Sequence, residues 1–191
     1  MTPSDTLERI VAATLGLIAE RGLGNVSMSD VARAAGVARQ TLYNHFDDVD
    51  GIVAAAVSAH NEVATRQLVD AVAVVEGASE KIAQLARQVA LSAMHEGHDL
   101  DFQHALAPEH RGLTAAYAQA LDALLAEVIA EGVADGEFRA DLDVDVAAVL
   151  IRHQLLGLAH LAATAPADVA RATGHATRLI LAGLTAGSSA P

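Results

Sequence analysis

Residues 26–46 read VSMSDVARAAGVARQTLYNHF, and the spacing of capping, apolar and turn residues here predicts two short helices joined by a glycine corner. Ser27 and Asp30 form an S-x-x-D capping arrangement, and Val26 and Val31 occupy the two positions of a hydrophobic staple, so the first helix has a defined start. Ala32 and Ala35 are small enough for another helix to come close. Gly36 suits the left-handed conformation that ends a helix, and Val37 is placed to plug the corner. The second helix, Arg39 to Phe46, buries Leu42 and Phe46 four residues apart, which turns Arg39, Gln40, Thr41, Tyr43, Asn44 and His45 outward. A helix fits the major groove of DNA and its first turn reaches base edges. There Arg pairs with guanine and Gln with adenine, while Tyr and His suit phosphate oxygens. A helical hairpin with a polar outer face would use the same residues, and spacing alone leaves both readings open.

Around this stretch, the composition sets limits. The chain has 191 residues, 52% hydrophobic and 19% charged, enough to bury a core and too apolar for a disordered segment. It has no cysteine, which excludes disulfides and thiolate metal sites and fits a reducing cytoplasm. Asp5 and Glu8 near the start argue against a signal peptide, and apolar runs are broken by charge or polar residues, so a soluble, cytoplasmic protein with no membrane span is expected. The net charge is −12, and in residues 1–50 four Arg face seven acids, a balance of −3. DNA affinity rests largely on cations that neutralise phosphates, so binding would depend on few well-placed groups and on helix N-termini.

Before the opening stretch, Thr2, Pro3 and Asp5 supply a helix start, and Ile10, Ala13, Leu17 and Ile18 form one apolar face of a helix ending at Arg21-Gly22. After it, helical patterns are predicted at about 52–75, with Val53, Val57, Val63, Leu68 and Val72 on a broad apolar face, and at about 79–94, capped by Ser79. Further patterns cover about 111–131, 144–164 and 166–186. The connection Gly132 to Asp143 has turn residues and Phe138 as an anchor. In the last two helices Val146, Val149, Leu150, Leu156, Leu161, Val169, Leu179, Ile180 and Leu184 exceed one core-facing stripe. Gly157 and Gly183 permit close approach there, so a second subunit is expected against this surface, with two ordinary core helices as the alternative.

The run from Ile10 through Val53, with AERG, the corner AAGV, TLYNHF and an apolar restart at Ile52-Val53, resembles the N-terminal domain of the TetR (tetracycline-repressor-like) family of bacterial transcription regulators. The resemblance implies an all-α fold of about nine helices: a three-helix helix-turn-helix DNA-binding domain at 1–50, a helical ligand-binding and dimerisation domain at 51–187, and a flexible tail at 188–191. It implies a homodimer through the last two helices on a palindromic double-stranded operator, and a helix from residue 52 that sets the separation of the two heads. Carried over by residue, Arg39, Gln40 and Thr41 read bases or backbone, Tyr43 and His45 hold phosphates beside Asn44, and Ser27 presents its hydroxyl and adjacent N–H groups to a phosphate. Two positions depart from the family pattern. Ala38 stands where a capping Ser or Thr is usual, and Val49 stands in the usual lysine position among Asp47, Asp48 and Asp50.

A small-molecule effector is the second expected partner, in a mostly apolar pocket. Met94, His98, Phe102, Tyr117, Leu121, His153 and Leu156 are the candidate lining. His95, His98, His104 and His110, with Glu96, Asp99, Asp101 and Glu109, fall within 16 residues. They suit a metal-responsive regulator, polar pocket lining or a solvated loop. No nucleophile-base arrangement or phosphate-cradling glycine loop is present, so neither an enzyme nor a cofactor is expected.

Overall fold

The computed structural model describes residues 3–96 and 111–185, and the regular structure among them is wholly helical. In order these are α1 (Pro3–Arg21), α2 (Met28–Ala35), α3 (Arg39–Tyr43), α4 (Val49–Ala73), α5 (Ala78–Glu96), α6 (Arg111–Ala134), α7 (Val144–Thr164) and α8 (Val169–Leu184), with 3-10 turns at Leu23–Asn25 and Pro166–Asp168. The all-α class is as the sequence predicts, with eight helices among the described residues. The chain divides into two compact units. The first comprises the described residues through Val63 together with 111–115, and the second comprises the rest.

The core of the first unit is Ile10, Leu17, Ile18, Val26, Val31, Ala32, Ala35, Leu42, Ile52, Val53 and Val57, with Ala13, Val37 and Phe46 packed against it. The staple pair Val26 and Val31 and the anchor Leu42 are thus in one cluster, which is why α2 and α3 cross at a fixed corner. Thr14 is also fully buried; its hydroxyl donates to the Ile10 carbonyl at 2.8 Å and so carries no unpaired donor into the core. The helix after the head begins at Val49 rather than Ile52, because the Asp48 carboxylate accepts from the Gly51 N–H at 2.8 Å and caps it. Val63 is half exposed and not on the apolar face expected of it. Six residues after Val57, it has turned far from the buried row at 3.6 residues per turn.

In the second unit α5 packs on α7 and α8. Its core includes Leu68, Val72, Ile82, Leu85, Leu121, Leu125, Ile129, Phe138, Ile151, Leu155, Leu158, Ile180 and Leu184. By length and composition α7 is long and apolar enough to cross a membrane, with a mean hydropathy of 1.4. It instead gives one face, from Ala148 and Ile151 to Ala162, to this core, and its Arg152 donates to Asp122 of α6 at 2.7 Å. The opposite face leaves Val146, Val149, Leu150 and Leu161 uncovered, and Leu179 of α8 is uncovered too.

Helix α5 starts one residue before the expected cap. Ser79 lies inside it, and its first N–H groups are satisfied by a residue distant in the chain: Glu137 accepts from Ala78 N and Ser79 N, both at 2.9 Å. Phe138, the expected anchor, is buried on the bare backbone of Gly132, where an added Cβ would stand 2.3 Å from its ring. The final helix begins at Val169 because Pro166–Asp168 forms a separate 3-10 turn.

Candidate nucleic-acid interface

The proposed reading surface is built by α2, its glycine corner and α3. Ser27 caps α2: its hydroxyl oxygen accepts from Asp30 N at 3.2 Å and its O–H donates to the Asp30 carboxylate at 2.5 Å. Gly36 closes α2 at φ 64°, ψ 38°, and the bonds Gly36 N to Arg33 O and Val37 N to Ala32 O tie off its last carbonyls. The corner is held from outside by Arg9 of α1, which donates to the carbonyls of Ala35 and Gly36.

Helix α3 is helical only to Tyr43. A hydrogen-bonded turn carries it to Phe46, whose N–H donates to Leu42 O at 3.0 Å. Ala38 stands at the N-cap with no side-chain bond, as the sequence predicts. Leu42 is fully buried; Arg39, Gln40, Tyr43, Asn44 and His45 are exposed and Thr41 is half-buried. The outward residues therefore share one solvent-facing surface, and Gln40 donates to Asn44 at 3.2 Å along it. Ser27 is likewise exposed at the α2 N-terminus.

Electrostatics sort the head's four arginines. Asp30 takes Arg33 in contact and Arg21 at 3.4 Å, and its carboxyl is held below the usual range chiefly by the Ser27 hydroxyl, then by Arg33 and Arg21. Arg9 is the corner clip. Arg39, at the first position of α3, donates to the hydroxyl of Ser29 on α2 and makes no ion pair among the described residues. Sequence reasoning missed the Arg9 clip and the Arg39–Ser29 contact, since both join residues on different helices.

The residues expected to line an effector pocket are dispersed. Leu121 is fully buried, Tyr117 packs on the core of the second unit, Leu156 is half-buried, and His153 is exposed with Nδ1 2.7 Å from the Val149 carbonyl of its own helix. Met94 lines a hollow of about 500 Å³ between α5 and α8, with Ala90, Leu91, Val169, Thr173 and Thr177. His98 and Phe102 lie outside the described residues, as does most of the histidine-carboxylate segment considered for a metal. Among the described residues no group of three or more His, Asp or Glu is arranged to hold a metal ion.

Residues 10–56 match the model of bacterial regulatory proteins of the tetR family, and residues 75–160 match the tetracyclin repressor-like C-terminal domain. The chain is 30% identical over 154 residues to the HTH-type transcriptional repressor KstR2 of Rhodococcus jostii, a match covering 74% of this chain and 71% of that one. It is 31% identical over 65 residues to the HTH-type regulator Mb2274c of Mycobacterium bovis, spanning about a third (34%) of that protein's length. The fold is similar to that of the regulator FadR from Bacillus subtilis in complex with stearoyl-CoA, with a TM-score of 0.81 at 21% identity over 93% of this chain and 98% of that one. The helix-turn-helix head, the helical second unit and these matches place the chain in the TetR family of transcriptional regulators.

Proposed function

We propose that this regulator is a ligand-responsive repressor that binds a palindromic operator as a homodimer and is released by a small, largely apolar effector. The observation that carries the reading is the outward row Arg39, Gln40, Thr41, Tyr43, Asn44 and His45 on α3, beside the exposed N-cap Ser27 of α2. In this reading residues 1–50 act as the DNA-binding domain and 51–187 as the ligand-binding and dimerisation domain. Arg39 and Gln40 read base edges with Thr41, Tyr43 and His45 hold phosphates beside Asn44, and the backbone N–H groups at the start of α2, next to Ser27, meet a further phosphate.

Dimerisation is supported by the uncovered apolar face of α7 and α8. Leu150, Leu161 and Leu179 are each more than half exposed there. A hollow of about 380 Å³ lined by Gly157, Leu158, Leu161, His175, Ala176 and Leu179 gives a partner's side chains a place to seat. An effector site is supported by the α5–α8 hollow, whose size and apolar lining with two threonines suit a small ligand. The Bacillus subtilis structural neighbour holds stearoyl-CoA, a ligand with a long apolar chain. Repression rather than activation follows the Rhodococcus relative. The effector acts by preferring the conformation whose heads are wrongly spaced, which shifts the population off DNA. A cytoplasmic site of action goes with this function.

The test is Arg39→Ala in a binding titration on a selected operator and on random duplex. Loss of about 1–3 kcal/mol on the operator, with relaxed preference at one base pair, is expected. Equal loss on both DNAs would remove Arg39 from base reading.

A further inference from the structure

We propose that Ser29 is a positioning residue that sets the Arg39 guanidinium before DNA arrives, and so fixes what Arg39 reads; this rests on the DNA-reading role proposed for α3. Ser29 is the second residue of α2 and Arg39 the first of α3. The corner brings them together across ten residues, and Arg39 Nη2 donates to Ser29 Oγ.

The adjacent positions 29 and 30 divide the arginines between two tasks. Asp30 shares one carboxylate between Arg21 and Arg33, and Glu20 also pairs with Arg21 at 3.6 Å, so both arginines are tied to acids of the scaffold. Ser29 binds Arg39 with a neutral oxygen. A hydroxyl restrains the side chain without cancelling its charge, and it occupies one nitrogen of a group with five N–H donors. The remaining donors stay available for the paired acceptors of a guanine edge. A free arginine would have to be ordered on binding, and the ordering of one such side chain weakens binding about two- to tenfold. Restraint by Ser29 places that ordering in the folded head.

The test measures binding of the full-length protein to its selected operator duplex and to random duplex, for Ser29→Ala, Ser29→Thr, Arg39→Ala and the Ser29→Ala/Arg39→Ala double variant. Circular dichroism verifies that each folds, and alanine is a good helix former at the half-buried position 29. Ser29→Ala is expected to lose about two- to tenfold on the operator and little on random duplex, and to broaden the preference at the base pair that Arg39→Ala also broadens. Ser29→Thr keeps the acceptor and restores both. In the Arg39→Ala background, Ser29→Ala adds nothing. Equal loss on both DNAs, persisting without Arg39, would make Ser29 a phosphate contact of its own and overturn the proposal. An unaffected Ser29→Ala would overturn it too. A wild type that selects no sequence overturns the DNA reading itself, and the Ser29 role with it.

Discussion

Glu137 ties the connection before α7 to the start of α5, and its removal is a sharp test of the second unit's construction. Its two carboxylate oxygens accept from Ala78 N and Ser79 N at 2.9 Å each, 59 and 58 residues away in sequence. Bonds to a charged acceptor contribute about 1.5–3 kcal/mol each, but water can reach part of this site and re-solvate the freed N–H groups, so Glu137→Ala should cost about 2 kcal/mol. For a chain of this size that is a fall of about 4–8 °C in Tm. Glu137→Gln keeps one acceptor but turns an amide N–H₂ toward the second N–H, and should lose about 1 kcal/mol.

Acid provides an independent reading of the same contact. Hydrogen bonding by Ser79, through its side chain and then its backbone, with Ala78 N and the nearby Lys81, holds the Glu137 carboxyl below its ordinary 4.5. A carboxyl lowered in the folded state contributes stability above its unfolded pKa, and this is lost as pH falls through the folded value. Chemical denaturation from pH 7 to below 4.5 should therefore show a larger acid loss in the wild type than in Glu137→Gln, which keeps only the loss due to other carboxyls such as Asp30. An Ala variant within about 0.5 kcal/mol of wild type, or an unchanged acid limb in the Gln variant, would show that Glu137 does not hold the start of α5.

Three further substitutions probe the head and the uncovered face. Gly36→Ala forces an L side chain into φ 64° and sets its Cβ 3.1 Å from Arg9 Nη2, so it should cost about 1–2 kcal/mol in a denaturant titration and weaken DNA binding. Ala38→Ser supplies the missing cap of α3 and should stabilise by about 1 kcal/mol, seen as slower amide exchange at Gln40 and Thr41. Leu161→Asp replaces a side chain 51% exposed on the α7 face, and it should raise the dimer dissociation constant at least about 30-fold in sedimentation while leaving helix content unchanged.

What could be read from sequence was local. Ser27, Asp30, Val26, Val31 and Gly36 lie within ten positions of one another, and the corner forms as their spacing predicts. The missing cap at Ala38 was equally visible. Against the family's lysine the acidic exit is only a departure, whereas in the structure Asp48 caps α4, a role that its position three residues before Gly51 signals. Contacts such as Arg9 to Ala35, Glu137 to Ala78 and Phe138 on Gly132 join elements that no periodicity links. Sequence marks Met94, Tyr117, Leu121, His153 and Leu156 only as side chains suited to a mostly apolar pocket. That suitability does not distinguish a helix's buried row, where Leu121 lies, from its outer one, where His153 lies.

In the proposed function the α2–α3 corner reads DNA as one half of a symmetric pair. Selection of bound sequences from random duplex DNA by the full-length protein at low salt tests it most directly. An inverted repeat is expected, with one base pair in each half-site losing its preference in Arg39→Ala. Recovery of no enriched sequence, or of a single unrepeated half-site, would contradict it.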